Sequence, residues 1–168
     1  MDGVVEVPLS KGKMALVDAD DWERLSRYKW YAWKNPSSGR FYAKSTFWIP
    51  GEKKSVSIMM HSLIVMGIGA DTDHANTNSL DNRKLNLRPA SRSQNNANKA
   101  PIGERQFKGI YFWAARQKWV SGITANGKRR TLGYFDTPED AAKCYDNAAR
   151  EAFGEFARLN FPQVVNGN

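Results

Sequence analysis

Asp73-His74-Ala75-Asn76-Thr77-Asn78-Ser79-Leu80-Asp81-Asn82-Arg83-Lys84-Leu85-Asn86-Leu87-Arg88, followed shortly by Ser93-Gln94-Asn95-Asn96, is the stretch that decides how this chain is read. Asp73, His74, Asn86 and Asn95 bring together a carboxylate able to bind a metal, an imidazole able to act as a base, an amide able to orient it, and a second oxygen ligand. Phosphodiester hydrolysis needs that set. A divalent cation offsets charge on the phosphoryl and leaving oxygens while a neutral imidazole takes a proton from the attacking water.

Working outward, Thr72 to Leu80 reads as a strand entering a turn with Asn76-Thr77-Asn78 at its tip, and Ser91 to Asn98 as the start of a helix. Asn76 or Asn78 is expected to take a positive backbone angle at the tip, since asparagine tolerates it. Asp81 and Arg83 suit an ion pair bracing the loop. Upstream, Val4 to Pro8, Lys13 to Val17, Lys29 to Lys34, Phe41 to Phe47 and Ser55 to Met59 are short β-rich runs, with a helix carrying Trp22, Leu25 and Tyr28 capped by Asp20 or Asp21. Their aromatic residues are read as core, and the module as support for the site. His61 to Met66 reads as a brief helix leading into Gly67 and Gly69, with His61 a packed structural histidine.

Downstream, residues 99–106 carry Pro and Gly without apolar periodicity and read as a linker. Lys108 to Trp113, Lys118 to Ala125 and Lys128 to Phe135 are three strand-like runs, the last two joined by the hairpin signal Asn126-Gly127. Thr137-Pro138-Glu139-Asp140 starts a helix, with a hydroxyl cap, proline in the first turn and acids near the positive end of the dipole. Ala141, Cys144, Tyr145, Ala148, Ala149 and Ala152 recur at helical spacing before Gly154, so small residues let this helix lie close on a sheet.

Of 168 residues, 41% are hydrophobic, which provides ample material for folding. Net charge is +8, and its placement matters more: from Arg83 to Arg130 there are twelve Lys or Arg and a single acid, Glu104. A concentrated basic middle suits a polyanion, with affinity that falls steeply with salt. The lone Cys144 permits no internal disulfide and no cysteine zinc site. No early apolar run is long enough for a signal peptide or membrane span, so a cytoplasmic location, in a bacterium or a phage-infected host cell, is expected.

The segment from Asp73 to Arg88 with Ser93 to Asn96 resembles the HNH nuclease family, especially its phage and intron-encoded homing endonucleases. That resemblance implies a β-hairpin-plus-helix (ββα-metal) finger in which Asp73 is a metal carboxylate, His74 the general base, Asn86 the residue that holds the imidazole by hydrogen bond, and Asn95 the second protein ligand. It implies Mg²⁺, with Mn²⁺ as substitute and no zinc, because a carboxylate and an amide oxygen are hard ligands. Products would carry 5′-phosphate and 3′-hydroxyl ends. The chain departs from the family at Ser62, where arginine often stands, and at Thr77, where glycine is frequent.

Phe107-Lys108-Gly109-Ile110, Lys118-Trp119-Val120, Leu132 to Thr137, Asp140-Ala141-Ala142, Tyr145-Asp146 and Phe153 to Pro162 resemble the Apetala-type (ethylene-response-factor) DNA-binding domain. In that family strand residues enter the major groove. Lys108, Tyr111, Trp113, Arg129 and Thr131 stand at its strand positions, and Arg116, Lys118, Lys128 and Arg130, with Arg88 and Arg92 of the nuclease segment, are candidate phosphate contacts. Tyr111, Trp113 and Thr131 replace the Arg, Arg and Trp of plant members, so the plant target sequence does not transfer. Trp119, Phe135 and Tyr145 are read as packing.

The expected fold class is therefore α+β: residues 1–98 a β-rich module plus nuclease finger (motif 59–98), 99–106 a linker, 107–162 a three-stranded antiparallel sheet on one helix, and 163–168 a tail. The expected function is a metal-dependent endonuclease acting on double-stranded DNA, as a monomer or transient dimer. The alternatives are a non-catalytic DNA-binding regulator with a degenerate finger, or an RNA-binding protein, for which no single-strand motif stands out.

Overall fold

Alternation of apolar and polar residues makes Val4–Pro8 (β1) and Met14–Asp18 (β2) an antiparallel hairpin with Val7, Ala15 and Val17 turned inward. The computed structural model describes residues 3–65, 71–101 and 106–162, which fall into two compact units, Met1–Ser91 and Arg92–Asn168. The expected approach to Gly67 and Gly69, the middle of the linker and the tail lie outside the described residues.

In the first unit, β2 runs directly into Ala19–Leu25 (α1). Asp18 is the residue before that helix, in place of the expected Asp20 or Asp21. Its carboxylate accepts the Lys84 backbone N–H at 2.7 Å and makes no capping bond. Asp20 and Asp21 fall in the first turn, where the helix dipole favours them. Tyr31–Lys34 (β3), Phe41–Trp48 (β4) and Ser55–Met59 (β5) form an antiparallel sheet in that order, followed by Met60–Ile64 (α2). Leu25, Ala32, Ala43, Met60 and Leu63 join Val7, Ala15 and Val17 in the core.

Not every aromatic residue enters that core, contrary to expectation. Tyr28 and Trp30 pack against it, and Trp30 Nε1 donates to the Leu25 carbonyl at 2.8 Å. Strand alternation, however, sends Tyr31, Trp33, Tyr42 and Trp48 to the opposite face, with Lys44 and Thr46. Asp71–His74 (β6) and Leu87–Ala90 (β7) make the last hairpin of this unit.

The second unit holds Arg92–Ala97 (α3), the antiparallel sheet Ile110–Trp113 (β8), Lys118–Ala125 (β9) and Lys128–Phe135 (β10), and the helix Pro138–Phe153 (α4). Thr137 caps α4 by accepting the Asp140 N–H, and Gly154 ends it, as the sequence implies. Ala141, Ala142, Ala148 and Ala149 face the sheet and bring the helix onto Ile110, Ile123, Trp119 and Phe135. Contacts group α3 with this unit: the Lys108 ammonium donates to the carbonyls of Asn96, Ala97 and Lys99 and so closes the end of α3. Small, mostly antiparallel sheets with packed helices make the class α+β. Among the described residues no helix is long and apolar enough to cross a membrane.

Candidate active site

The hairpin β6–β7 pairs Asp73 with Arg88 and His74 with Leu87, and the twelve residues between its strands form a loop held from several sides. The first unit supplies the holds. Strand β2 accepts the loop as a short parallel bridge, with Leu16 N–H donating to Leu80 O at 2.8 Å and Asn82 N–H to Leu16 O at 2.7 Å. Ser79 Oγ donates to Phe41 O at 2.6 Å, and the Lys84 backbone is held by Asp18.

Inside the loop, Asp81 accepts Arg83 Nε at 2.8 Å and Nη2 at 2.7 Å, the bracing ion pair the sequence suggests. The Arg83 bonds hold the Asp81 carboxyl below the usual carboxylate range despite its burial. Asn76 donates to Asp81 Oδ2 and its own oxygen accepts the Asn78 N–H. The positive angle expected at Asn76 or Asn78 falls on Thr77 itself, at φ 66°, where its N–H also closes a turn onto His74 O. Both asparagine side chains are engaged in fixing the loop, so the strained backbone angle is left to the residue between them.

Asn86 does not hold the imidazole. Its Oδ1 accepts the Asn76 N–H at 2.9 Å and its Nδ2 donates to Asp81 O at 2.7 Å, so it pins the two ends of the loop together. The amide beside the ring is that of Asn82, whose Oδ1 lies 3.2 Å from His74 Nε2. Asn82 Nδ2 donates to Leu80 O and Met60 Sδ, which fixes its oxygen on the histidine, so Nε2 carries the proton. In the neutral ring the basic lone pair is then on Nδ1. Asn82 is 1% exposed and stands in the Leu80 to Arg83 text, whereas the family resemblance assigns its role to Asn86.

Burial lowers the His74 pKa, opposed by Asn82 and the charges of Asp73 and Asp81 and aided by that of Arg40. The ring is therefore neutral at neutral pH. His61 stands edge-on to it, ring centroids 5.2 Å apart, and Tyr42 touches both rings. Desolvation, with the neighbouring His74, pushes His61 down to about 4, consistent with a packed structural histidine.

Asp73 is buried, and its Oδ2 accepts Arg88 Nε at 3.0 Å and Nη2 at 2.8 Å. Arg88, a candidate phosphate contact, is thus turned onto the candidate metal ligand. Arg88 occupies Asp73 Oδ2, so a hard divalent ion at this carboxylate would have to compete with the guanidinium. Asn95 lies on α3 in the other unit. Among the described residues, three groups of metal-ligating type come together at Asp18, Asp20 and Asp21, but Lys84 bridges Asp20 and Asp21.

In the second unit the register sorts the DNA-contact candidates. Tyr111, Trp113, Lys118, Arg129 and Thr131 share the sheet face away from α4, joined there by Thr124 and Tyr134. Arg116 lies 4.6 Å over the Trp113 ring and Arg129 5.8 Å over that of Tyr111. Lys118 is paired with Asp136. Arg130 lies opposite Ile123 and Lys128 opposite Ala125, so both belong to the helix side, and Lys108 is held by the α3 carbonyls. Lys108 therefore leaves the expected groove-reading set, while Lys128 and Arg130, candidate phosphate contacts, stand on the side of the sheet that carries α4. Arg92 begins α3 and is exposed.

No family model matches the chain. It is 31% identical over 166 residues to the uncharacterized HNH endonuclease L560 of Acanthamoeba polyphaga mimivirus, covering 95% of this chain and 83% of that protein. The chain belongs to the HNH endonuclease family. It is also 43% identical over 68 residues to the ethylene-responsive transcription factor ERF010 of Arabidopsis thaliana, covering 38% of this chain and 35% of that protein. A 56-residue span is 41% identical to APETALA2-like protein 2 of Oryza sativa subsp. indica, covering 33% of this chain and 13% of that protein. These likenesses support an Apetala-type DNA-binding domain alongside the nuclease homology.

Proposed function

We propose that the chain is a metal-dependent DNA endonuclease of the homing type, with the β6–β7 hairpin carrying its catalytic groups and the β8–β9–β10 sheet as its reader of the major groove. The observation that carries this is the buried Asp73–His74 pair, with the imidazole neutral and its tautomer set by Asn82. Asp73 is the carboxylate that would hold Mg²⁺ or Mn²⁺; the role of Asn95 as second ligand rests on the family resemblance alone. When bound, the cation would offset charge on the phosphoryl and leaving oxygens. His74 takes the proton of the attacking water on Nδ1 while Nε2 keeps its bond to Asn82. Asn86 and the Asp81–Arg83 pair keep the loop, and so the ring, in place.

Double-stranded DNA is the substrate, and joining a reader to a cutter raises the effective concentration of the catalytic groups near a chosen site. The Arg88–Asp73 ion pair is the observation that favours the second reading, a regulator that binds without cutting. Supercoiled plasmid with Mg²⁺ separates the two. Nicking or cutting that is lost in His74→Ala supports the enzyme; DNA binding with intact plasmid in the unsubstituted protein overturns it.

A further inference from the structure

The first unit carries a basic aromatic surface that the assignments above leave unused. From Lys29 to Lys54 there are six Lys or Arg and one acid, Glu52. On the sheet face opposite the core, Tyr31, Trp33, Tyr42, Lys44, Thr46 and Trp48 line up, with Lys44 lying 5.0 Å over the Trp33 ring. Trp48 is 61% exposed, an unusual position for a residue whose burial would stabilise the fold. Tyr31, Thr46 and Ser57 form a chain of hydroxyls at 2.9 and 2.8 Å across the three strands.

This face is continuous with the candidate active site. The Tyr42 ring packs on Trp33 on one side and on His61 and His74 on the other. Arg40 directly precedes β4, and the alternation of that strand puts it in line with Tyr42 and Lys44 on the same face. Charge, stacking surface and hydroxyl donors therefore lead to the base without a break.

We propose that the outer face of the β3–β4–β5 sheet is a second DNA-contact surface, which holds duplex DNA beside His74 with Arg40 and Lys44 on its phosphates. The proposal rests on the nuclease reading for its purpose, but its test does not require cleavage. The full chain, in EDTA, is exposed to an amine-acetylating reagent with and without a saturating duplex of mixed sequence, and lysine modification is followed by mass spectrometry. Acetylation of Lys44 is expected to slow about fivefold on adding DNA. In parallel, the Arg40→Ala/Lys44→Ala double variant should bind the duplex with a log K against log salt slope shallower by about two, as two lost phosphate contacts require. Unchanged acetylation of Lys44 and an unchanged slope overturn the proposal. A chain that protects Lys44 yet leaves plasmid intact sinks the nuclease reading and keeps this one.

Discussion

His61 shows how a single side chain links packing to stability. Its pKa is about 4 when folded and near 6.5 when unfolded, so between those values the unfolded chain binds more protons. Stability from this group is complete above pH 6.5 and is lost as pH falls through 4. About 2 kcal/mol should vanish between pH 7 and pH 5, and His61→Gln should abolish that part of the slope, as urea midpoints at the two pH values will show. Thr77 is the opposite case, a β-branched residue at φ 66°. Thr77→Gly is expected to stabilise the protein by about 1 kcal/mol, because glycine adopts that angle without steric cost. A lower urea midpoint in the variant would contradict that account of the loop.

At the scale of elements, close approach between strand and helix decides the second unit. Gly109 has φ +79°, its carbonyl accepts the Gly122 N–H at 2.9 Å, and a Cβ there would lie 1.9 Å from Tyr145 Cδ2. The flat face of Tyr145 on α4 thus occupies the space of the missing side chain. Gly109→Ala should cost about 3 kcal/mol through overpacking and the unfavourable angle, seen as a drop in thermal midpoint. Buried Asp146 on the same helix accepts the N–H groups of Asn160 and Phe161 and the Asn160 amide, while Asn160 pairs with the Lys108 backbone. One carboxylate ties the segment after α4 back to the start of the sheet.

For the whole molecule, net charge sets attraction to DNA and the sheet faces set which charges take part. Arg129 is on the face away from α4 and Arg130 on the helix side. Arg129→Ala is expected to reduce the salt slope of DNA binding by about one and to relax sequence preference, whereas Arg130→Ala should change neither. Titrations of both variants across a range of salt concentrations test this directly. Equal losses would mean that alternation along β10 does not choose the contacts.

The sequence by itself determined the α+β class, most strand and helix positions, the Thr137 cap with Gly154 as stop, and the Asp73–His74 pair. Those follow from periodicity, turn chemistry and short-range motifs, which are local. Tertiary structure alone decided which amide meets the imidazole, because Asn82 and Asn86 stand in one loop after His74 and only the bridge to β2 turns Asn82 onto the ring. It likewise turned Arg88 onto Asp73 and Lys108 onto the α3 carbonyls, since a long charged side chain takes whichever partner folding brings within reach. The aromatic face of β3–β5 lies outside the core for a related reason: alternation says that two faces exist, and only packing says which one is covered.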